Sequence, residues 1–422
     1  MAEYAYVSGG LVNRPVLLPS SLARPFAAFL LACAVGGLPE EGKEGAAMRY
    51  GSVCSGIEAA SVAWRPLGWR CAFVSEVEPF ASEVLKHRLP GVPNLGDFTK
   101  IRGTGNGERE TGKEVADYDG DIDLLVGGTP CQSFSTGGKR GGIADPRGNL
   151  AIEFVRLAER TDARWVVWEN VPAVLAINGG RDFAAFLSEL VGWDVEVPDG
   201  GWGNSGVATN APGRFGVSWR VLDARYTRVS AFPRAVPQRR RRVILVGCRD
   251  SWASAAEALL GGELCGSDAP PRRAAGIRHA ADAGECASEE CFPIDMMNIE
   301  GRTKCLKTKC YDEAGAAMYT LRSSHVNSVC TPCQLRRLLP VESERLMGFP
   351  DGWTDVPWKG KAHPPDGYRH KVCGNSMCVN VMRWVGERIS AVAAGKEFED
   401  YGREVPRRGD GAAAHFAQGG GG

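Results

Sequence analysis

Three groups of residues in this chain have types and spacings that could do chemistry. The first is Cys131, within Gly127-Gly128-Thr129-Pro130-Cys131-Gln132-Ser133-Phe134-Ser135. A thiol there is either a small inert core residue or a nucleophile, and a nucleophile needs an exposed polar loop at a strand end. Pro130 before it and Gln-Ser-Phe-Ser after it suit the loop. The second is Glu169, in Glu169-Asn170-Val171-Pro172, which either converges on Cys131 from a neighbouring strand or caps the helix that follows. The third is Gln238-Arg239-Arg240-Arg241-Arg242. A run of arginines is ordinarily a solvated patch, but on entering a strand the side chains alternate, so Gln238, Arg240 and Arg242 share one face that can point into a pocket.

These groups need a sheet to bring them together. Asp123-Leu124-Leu125-Val126 is short, apolar and closed by glycines, as a parallel strand should be, and it places Cys131 in the crevice where α/β sheets bind ligands. Tyr50 to Cys54 reads as an earlier strand, Ser55-Gly56 as a tight loop and Ile57 to Trp64 as a helix. Such a unit offers backbone N–H groups to polar atoms of a ligand. Cys71 to Val74 forms a second strand ending in Ser75-Glu76, twenty residues beyond Gly56, where an acid would meet ribose hydroxyls; Glu78 competes for that role. Leu95-Gly96-Asp97-Phe98 reads as a third strand end, with Asp97 able to accept from an adenine amino group. Each acid alone could be a solvated cap, but three turns in series indicate an adenosyl-containing cofactor. Further strands are expected at Trp165–Trp168 and at 243–247.

The rest of the chain sets bounds. Its 422 residues suffice for two or three domains, and a hydrophobic fraction of 44% can build a sizeable core. Lys plus Arg equals Asp plus Glu at 50 each, so a nucleic-acid partner would be held by local patches and not by overall charge. Fourteen cysteines in so large and core-rich a chain point to a reducing cytoplasm and not to a disulfide scaffold. Residues 1–47 carry an apolar run too short to span a bilayer, and Met48 directly precedes the first strand, so this stretch is expected to be a dispensable extension. Residues 102–120 read as a surface insertion.

The chain resembles the DNA (cytosine-5) methyltransferases, specifically the prophage and restriction-modification type. Pro130-Cys131-Gln132, Glu169-Asn170-Val171 and Gln238-x-Arg240-x-Arg242 match that family's motifs in identity, order and approximate spacing. Arg336 to Pro350 resembles its penultimate motif, and Gly374-Asn375-Ser376 with a helix from Val379 to Ile389 resembles its last. One departure lies in the first loop, where many members carry Phe-x-Gly-x-Gly and this chain has Cys54-Ser55-Gly56-Ile57-Glu58. The resemblance implies a Rossmann-like α/β domain that uses S-adenosylmethionine, joined to a smaller target-recognition domain. It implies Cys131, Glu169, Arg240 and Arg242 as catalytic residues. Cofactor contacts are expected from Cys54, Ser55, Gly56, Ile57, Glu76, Val77, Asp97, Phe98, Pro130, Asn375 and Ser376, with Phe98 packed on the adenine.

The implied reaction adds the Cys131 thiolate to C6 of a cytosine flipped out of duplex DNA, so that C5 becomes nucleophilic. A thiol with a pKa near 8.5 is only about 3% ionised at pH 7, so the site must stabilise the thiolate or deprotonate it as it attacks, and cationic Arg242 is a candidate for the first. Glu169 in its protonated form can donate to N3, and Arg242 would also bind O2. DNA contacts are expected from Gln132, Ser135, Lys139, Arg140, Gln238, Lys304 and Arg322, with Thr136 to Gly142 as either a lid or a plain flexible loop.

The expected organisation is an extension over 1–47, a catalytic domain over 48–249, target recognition over 250–355, a return to the catalytic domain over 356–395 and a disordered tail over 396–422. The enzyme is expected to be a monomer, with double-stranded DNA and a cognate restriction endonuclease as candidate partners and no membrane association. No metal is assigned, although seven cysteines between Cys265 and Cys333 include one tight pair, Cys330 and Cys333, of zinc-ligand spacing. Two other functions compete: the same chemistry on structured RNA, and a catalytically inactive DNA-binding relative.

Overall fold

The short apolar runs become strands β1 (Arg49–Val53), β2 (Arg70–Ser75), β5 (Leu124–Gly127), β6 (Trp165–Asn170), β7 (Ser205–Ala208), β8 (Gly216–Asp223) and β9 (Arg241–Cys248). Ile101–Arg102 (β3) and Ala116–Asp117 (β4) form a separate two-stranded pair. This computed structural model describes residues 48–102, 116–118, 120–130, 150–229, 231–232, 235–261, 292–294, 318, 320–321, 327–330 and 335–395.

The main sheet has seven strands in the order β2-β1-β5-β6-β9-β8-β7. The first four are parallel, and β9, β8 and β7 each run antiparallel to the preceding neighbour. Every residue of β5 is buried, as expected of a strand covered on both faces. One core joins Tyr50, Val126, Trp165, Val167 and Ile244 to the helices α1 (Ala59–Trp64), α5 (Trp252–Leu260) and α8 (Val379–Ala393). On the opposite face, Val53, Leu125, Val166, Trp168 and Leu245 pack under α3 (Leu150–Arg160) and α4 (Arg181–Val191). Gly51 is required between β1 and β2, because a Cβ there would lie 2.3 Å from the Phe73 ring. The result is a three-layer, Rossmann-like α/β/α domain.

The chain leaves β1 for β2 on one side and returns to β5 on the other, so the sheet reverses direction between β1 and β5. Ligands bind outside the carboxyl ends of strands at such a reversal. The register aligns Ser75, Val53, Gly127 and Trp168 in one row. The residues immediately beyond that row are Glu76, Cys54, Gly128 and Glu169, which therefore line one edge of the crevice.

After the sheet come a small antiparallel sheet of β10 (Phe292–Ile294), β11 (Ser328–Cys330) and β12 (Leu335–Arg337), then α6 (Pro340–Met347) and α7 (Asp366–Asn375). The chain then comes back to the large domain: the Trp64 indole donates to the Met382 carbonyl of α8 at 2.7 Å, and Arg388 donates to the Ala258 carbonyl of α5.

One expected element is corrected. Leu95 to Phe98 does not end a third strand; Asn94 makes a single bridge to Val74, and Asp97 then caps a 3-10 turn over Phe98–Lys100. Pro93 offers no N–H to a ladder, and Gly96, at φ 71°, turns the backbone away.

Candidate active site

The turn after β1 is held from several sides. The Ser55 hydroxyl donates to the Ser52 carbonyl at 3.0 Å and accepts from the Ser75 amide at 3.1 Å, tying the turn to the end of β2. Gly56 donates its N–H to Glu76 Oε2 at 2.7 Å, while the other carboxylate oxygen accepts from the amides of Val77 and Glu78. Glu76 is thus fixed by three backbone donors at the mouth of the crevice. Glu78 is occupied otherwise: it caps α2 (Pro79–Arg88) through the Ala81 amide and pairs with Lys371. Burial, followed by the nearby negative charges of Glu76 and Asp97, pushes the Cys54 thiol up to about 12. Glu76 bonds the turn directly, Asp97 caps the following 3-10 turn through Thr99, and Cys54 stays a neutral thiol.

Phe98 corrects an expectation. It is only 5% exposed and belongs to the core cluster of Val53 and Phe73, so most of its surface is spent on the core. The exposed apolar surface at this strand end is Val77, 69% accessible. Ile57 is fully buried, and its carbonyl accepts from the Trp353 indole at 2.9 Å.

At the ends of β5 and β6 the chain is positioned just as closely. The Trp168 indole donates to Thr129 Oγ1 at 3.0 Å, and the Asn170 amide donates to the Thr129 carbonyl at 2.9 Å. These bonds aim Gly128-Thr129-Pro130, the residues leading directly into Cys131. Arg242 Nε stands 3.0 Å from Glu169 Oε1, with both side chains mostly buried. A Cβ on Gly128 would lie 3.1 Å from Met377 Cε and 3.4 Å from Glu169 Oε2, so Met377 and Glu169 overhang the same glycine.

The other residues of the third motif differ from expectation. Gln238 is fully buried, and its amide donates to the Leu346 carbonyl at 3.1 Å, which anchors α6; it presents nothing to DNA. Arg240, 2% exposed, donates to the carbonyls of Leu321, Gly374 and Ser376 and is a clamp between three segments, not a pocket group. Packing covers Gln238 and Arg240, whereas Arg242 pairs with Glu169. Ser376 is buried and reached through its carbonyl, whereas Asn375 beside it is exposed.

Cys131, Gln132, Ser135, Lys139, Arg140, Lys304 and Arg322 lie outside the described residues, as do the cysteines from 265 to 333 apart from the Cys330 backbone. Sequence reasoning missed Thr129 and Asn170 as positioning groups, Met377 as a lining group, and Glu58. The last had one visible signal, its place where related chains carry glycine.

A mixed seven-stranded sheet with acids and backbone donors gathered where the order of its parallel strands reverses is consistent with a Rossmann-like methyltransferase fold. The Dnmt2 methyltransferase of S. pombe shares it, with a TM-score of 0.53 over 83% of this chain and all of that one at 15% identity. The chain belongs to the C-5 cytosine-specific DNA methylase family, whose model matches residues 48–259 and 277–391. It is 33% identical to a DNA N-6-adenine-methyltransferase of Escherichia phage P1, over 87% of this chain and 64% of that protein. It is 25% identical to a Type II methyltransferase of Bacillus subtilis (strain 168), over 81% of this chain and 75% of that protein. No described helix is long and apolar enough to cross a membrane.

Proposed function

We propose that this chain methylates C5 of a flipped-out cytosine in a specific duplex DNA sequence, through a covalent Cys131 adduct at C6. The observation that carries this reading is the Glu169–Arg242 pair one strand away from Gly128-Thr129-Pro130, the residues that directly precede Cys131 in the sequence. The name of the phage P1 relative concerns adenine N6, an exocyclic amine that needs no thiol adduct. A Pro130-Cys131 sequence together with the Glu169–Arg242 pair suits the ring carbon of cytosine, which is unreactive until a nucleophile adds at C6.

The residues present fit S-adenosylmethionine. The Ser55-Gly56 turn and the fixed carboxylate of Glu76 suit its polar groups, Asp97 suits the adenine amine, and exposed Val77 suits its ring face. When bound, this cofactor supplies an electrophilic methyl group to C5. Arg242 stabilises the Cys131 thiolate and holds the cytosine O2, and Glu169 holds a proton for N3 as negative charge builds on the ring. Loss of the C5 proton then expels Cys131 and frees the product.

Residues 250–355 are proposed to read the target sequence, with Lys304 and Arg322 at the DNA and a lid at 135–142 closing over the base. The enzyme is proposed to act as a monomer in the cytoplasm, with a cognate restriction endonuclease as a candidate partner. A duplex carrying 5-fluorocytosine at the target tests the covalent step, because fluorine cannot leave as a proton does. Incubation with S-adenosylmethionine should give a denaturant-stable protein–DNA adduct that Cys131→Ala cannot form. Active enzyme that forms no such adduct would refute the covalent route.

A further inference from the structure

Glu58 closes the turn after β1 and adopts a backbone that glycine favours, φ 62° and ψ 65°. L residues rarely adopt that conformation, and a long acidic side chain has no intrinsic reason to do so. Its side chain is also buried, at 1% exposure. Ser52 of β1 donates to Oε2 at 2.7 Å, Ser61 of α1 donates to Oε1 at 3.4 Å, and the Tyr50 hydroxyl bonds Ser61 at 2.7 Å. The Glu58 amide donates to the Ser55 carbonyl at 2.9 Å, closing the turn.

No arginine or lysine among the described residues pairs with this carboxyl group. The titratable neighbours are Tyr50 from β1 and Cys71 from β2, both driven upward by burial first and by Glu58 second, so both stay neutral near pH 7. From α8, Arg383 reaches the Ala63 carbonyl and is paired with Glu387. Beyond the turn stand Cys54, also neutral, and the carboxylates of Glu76 and Asp97. Burial raises the Glu58 carboxyl itself to about 7, so its charge changes in the physiological range.

Two residues of chain span at most about 7 Å, so the backbone of Glu58 lies close to Gly56 and to whatever that turn holds. We propose that Glu58 makes the cofactor turn sensitive to the charge of its ligand, favouring the sulfonium of S-adenosylmethionine over the neutral thioether of S-adenosylhomocysteine only when Glu58 is ionised. The inference rests on the methyl-donor reading above. Both ligands carry the same amine and carboxylate and differ by one methyl group and one positive charge. Once the methyl group has left, the attraction is gone, and Glu58 takes up a proton from solvent. This weakens the hold of the product complex on the ionised state.

Equilibrium binding of both ligands, measured by titration calorimetry between about pH 5.5 and about pH 8.5, tests the proposal without turnover. Were the sulfonium about 10 Å from the carboxylate at an effective dielectric constant of about 20, it would move the carboxyl pKa by about one, so the ratio of the two dissociation constants should change by up to about tenfold in favour of S-adenosylmethionine as pH rises. In Glu58→Gln the ratio should change no more than about twofold. Ionisation of the ligand amines is common to both proteins and cancels in the comparison. Glu58→Gly, which accepts the left-handed backbone freely, should be equally flat and serves if the glutamine variant does not fold. A ratio that is flat in the wild type, or a slope that survives in both variants, overturns the proposal. Failure of either ligand to bind at any pH would instead sink the methyl-donor reading, and this inference with it.

Discussion

Replacing Arg240 by methionine separates a clamp from a catalytic group. The guanidinium donates to the carbonyls of Leu321 at 3.2 Å, Gly374 at 3.1 Å and Ser376 at 2.5 Å, and the side chain is 2% exposed. Hydrogen bonds from a charged donor contribute about 1.5–3 kcal/mol each, but the charge is also desolvated, and methionine regains part of that penalty. Burial, followed by the nearby Arg242 charge, lowers the Arg240 pKa to about 10. The net loss is therefore set at about 3 kcal/mol, which for a domain of this size lowers the melting temperature by about 6–12 °C. Thermal melting followed by circular dichroism reads it directly. Arg242→Met, which leaves the mostly buried Glu169 carboxylate unpaired, should also lose about 2–3 kcal/mol, and unlike Arg240→Met it should abolish methylation. An Arg240→Met protein that melts within about 2 °C of wild type yet does not methylate would refute the clamp and return Arg240 to the chemistry.

Further outcomes follow from the same geometry. Glu58 has a folded-state pKa of about 7 against an ordinary 4.5, so its contribution to stability is fully present below about 4.5 and is lost as pH rises through about 7. Glu58→Gln should remove that loss, making the variant more stable than wild type by up to about 3 kcal/mol at pH 8 and not at pH 4, by urea denaturation; equal pH profiles would contradict this. Gly216→Ala should destabilise by about 2 kcal/mol or more, because the new methyl would lie 2.4 Å from Trp252 Cα, where α5 crosses β8; a neutral result in the same denaturation assay would mean the helix can shift freely. Glu169→Gln should leave cofactor affinity unchanged and lower the methylation rate by about 100-fold or more, and a rate within about threefold of wild type would remove Glu169 from proton donation.

Much of this was legible in the sequence, and the reasons are physical. β5, β6 and β9 are apolar runs with turn residues at their ends, so position along the chain located both the sheet and the groups at its carboxyl edge. Alternation predicts Gln238, Arg240 and Arg242 on one face, although the strand itself begins only at Arg241. It carries no information about what covers that face, and Leu346, Gly374 and Leu321 are distant in sequence. Phe98 reads the same whether it stacks on a ligand or fills the core, since an aromatic ring suits both. Glu58 reads as an ordinary solvated acid at a helix start; only the packing of Tyr50, Ser52 and Ser61 around it reveals a buried one. The departure from glycine marked the place but not the depth.

The most direct test of the central claim maps methyl groups in DNA from a methylation-free host expressing this protein, at both cytosine C5 and adenine N6, beside a Cys131→Ala control. The expected result is 5-methylcytosine within one short sequence, absent from the control. Methyl groups confined to adenine N6, or 5-methylcytosine that persists without the Cys131 thiol, would contradict the account.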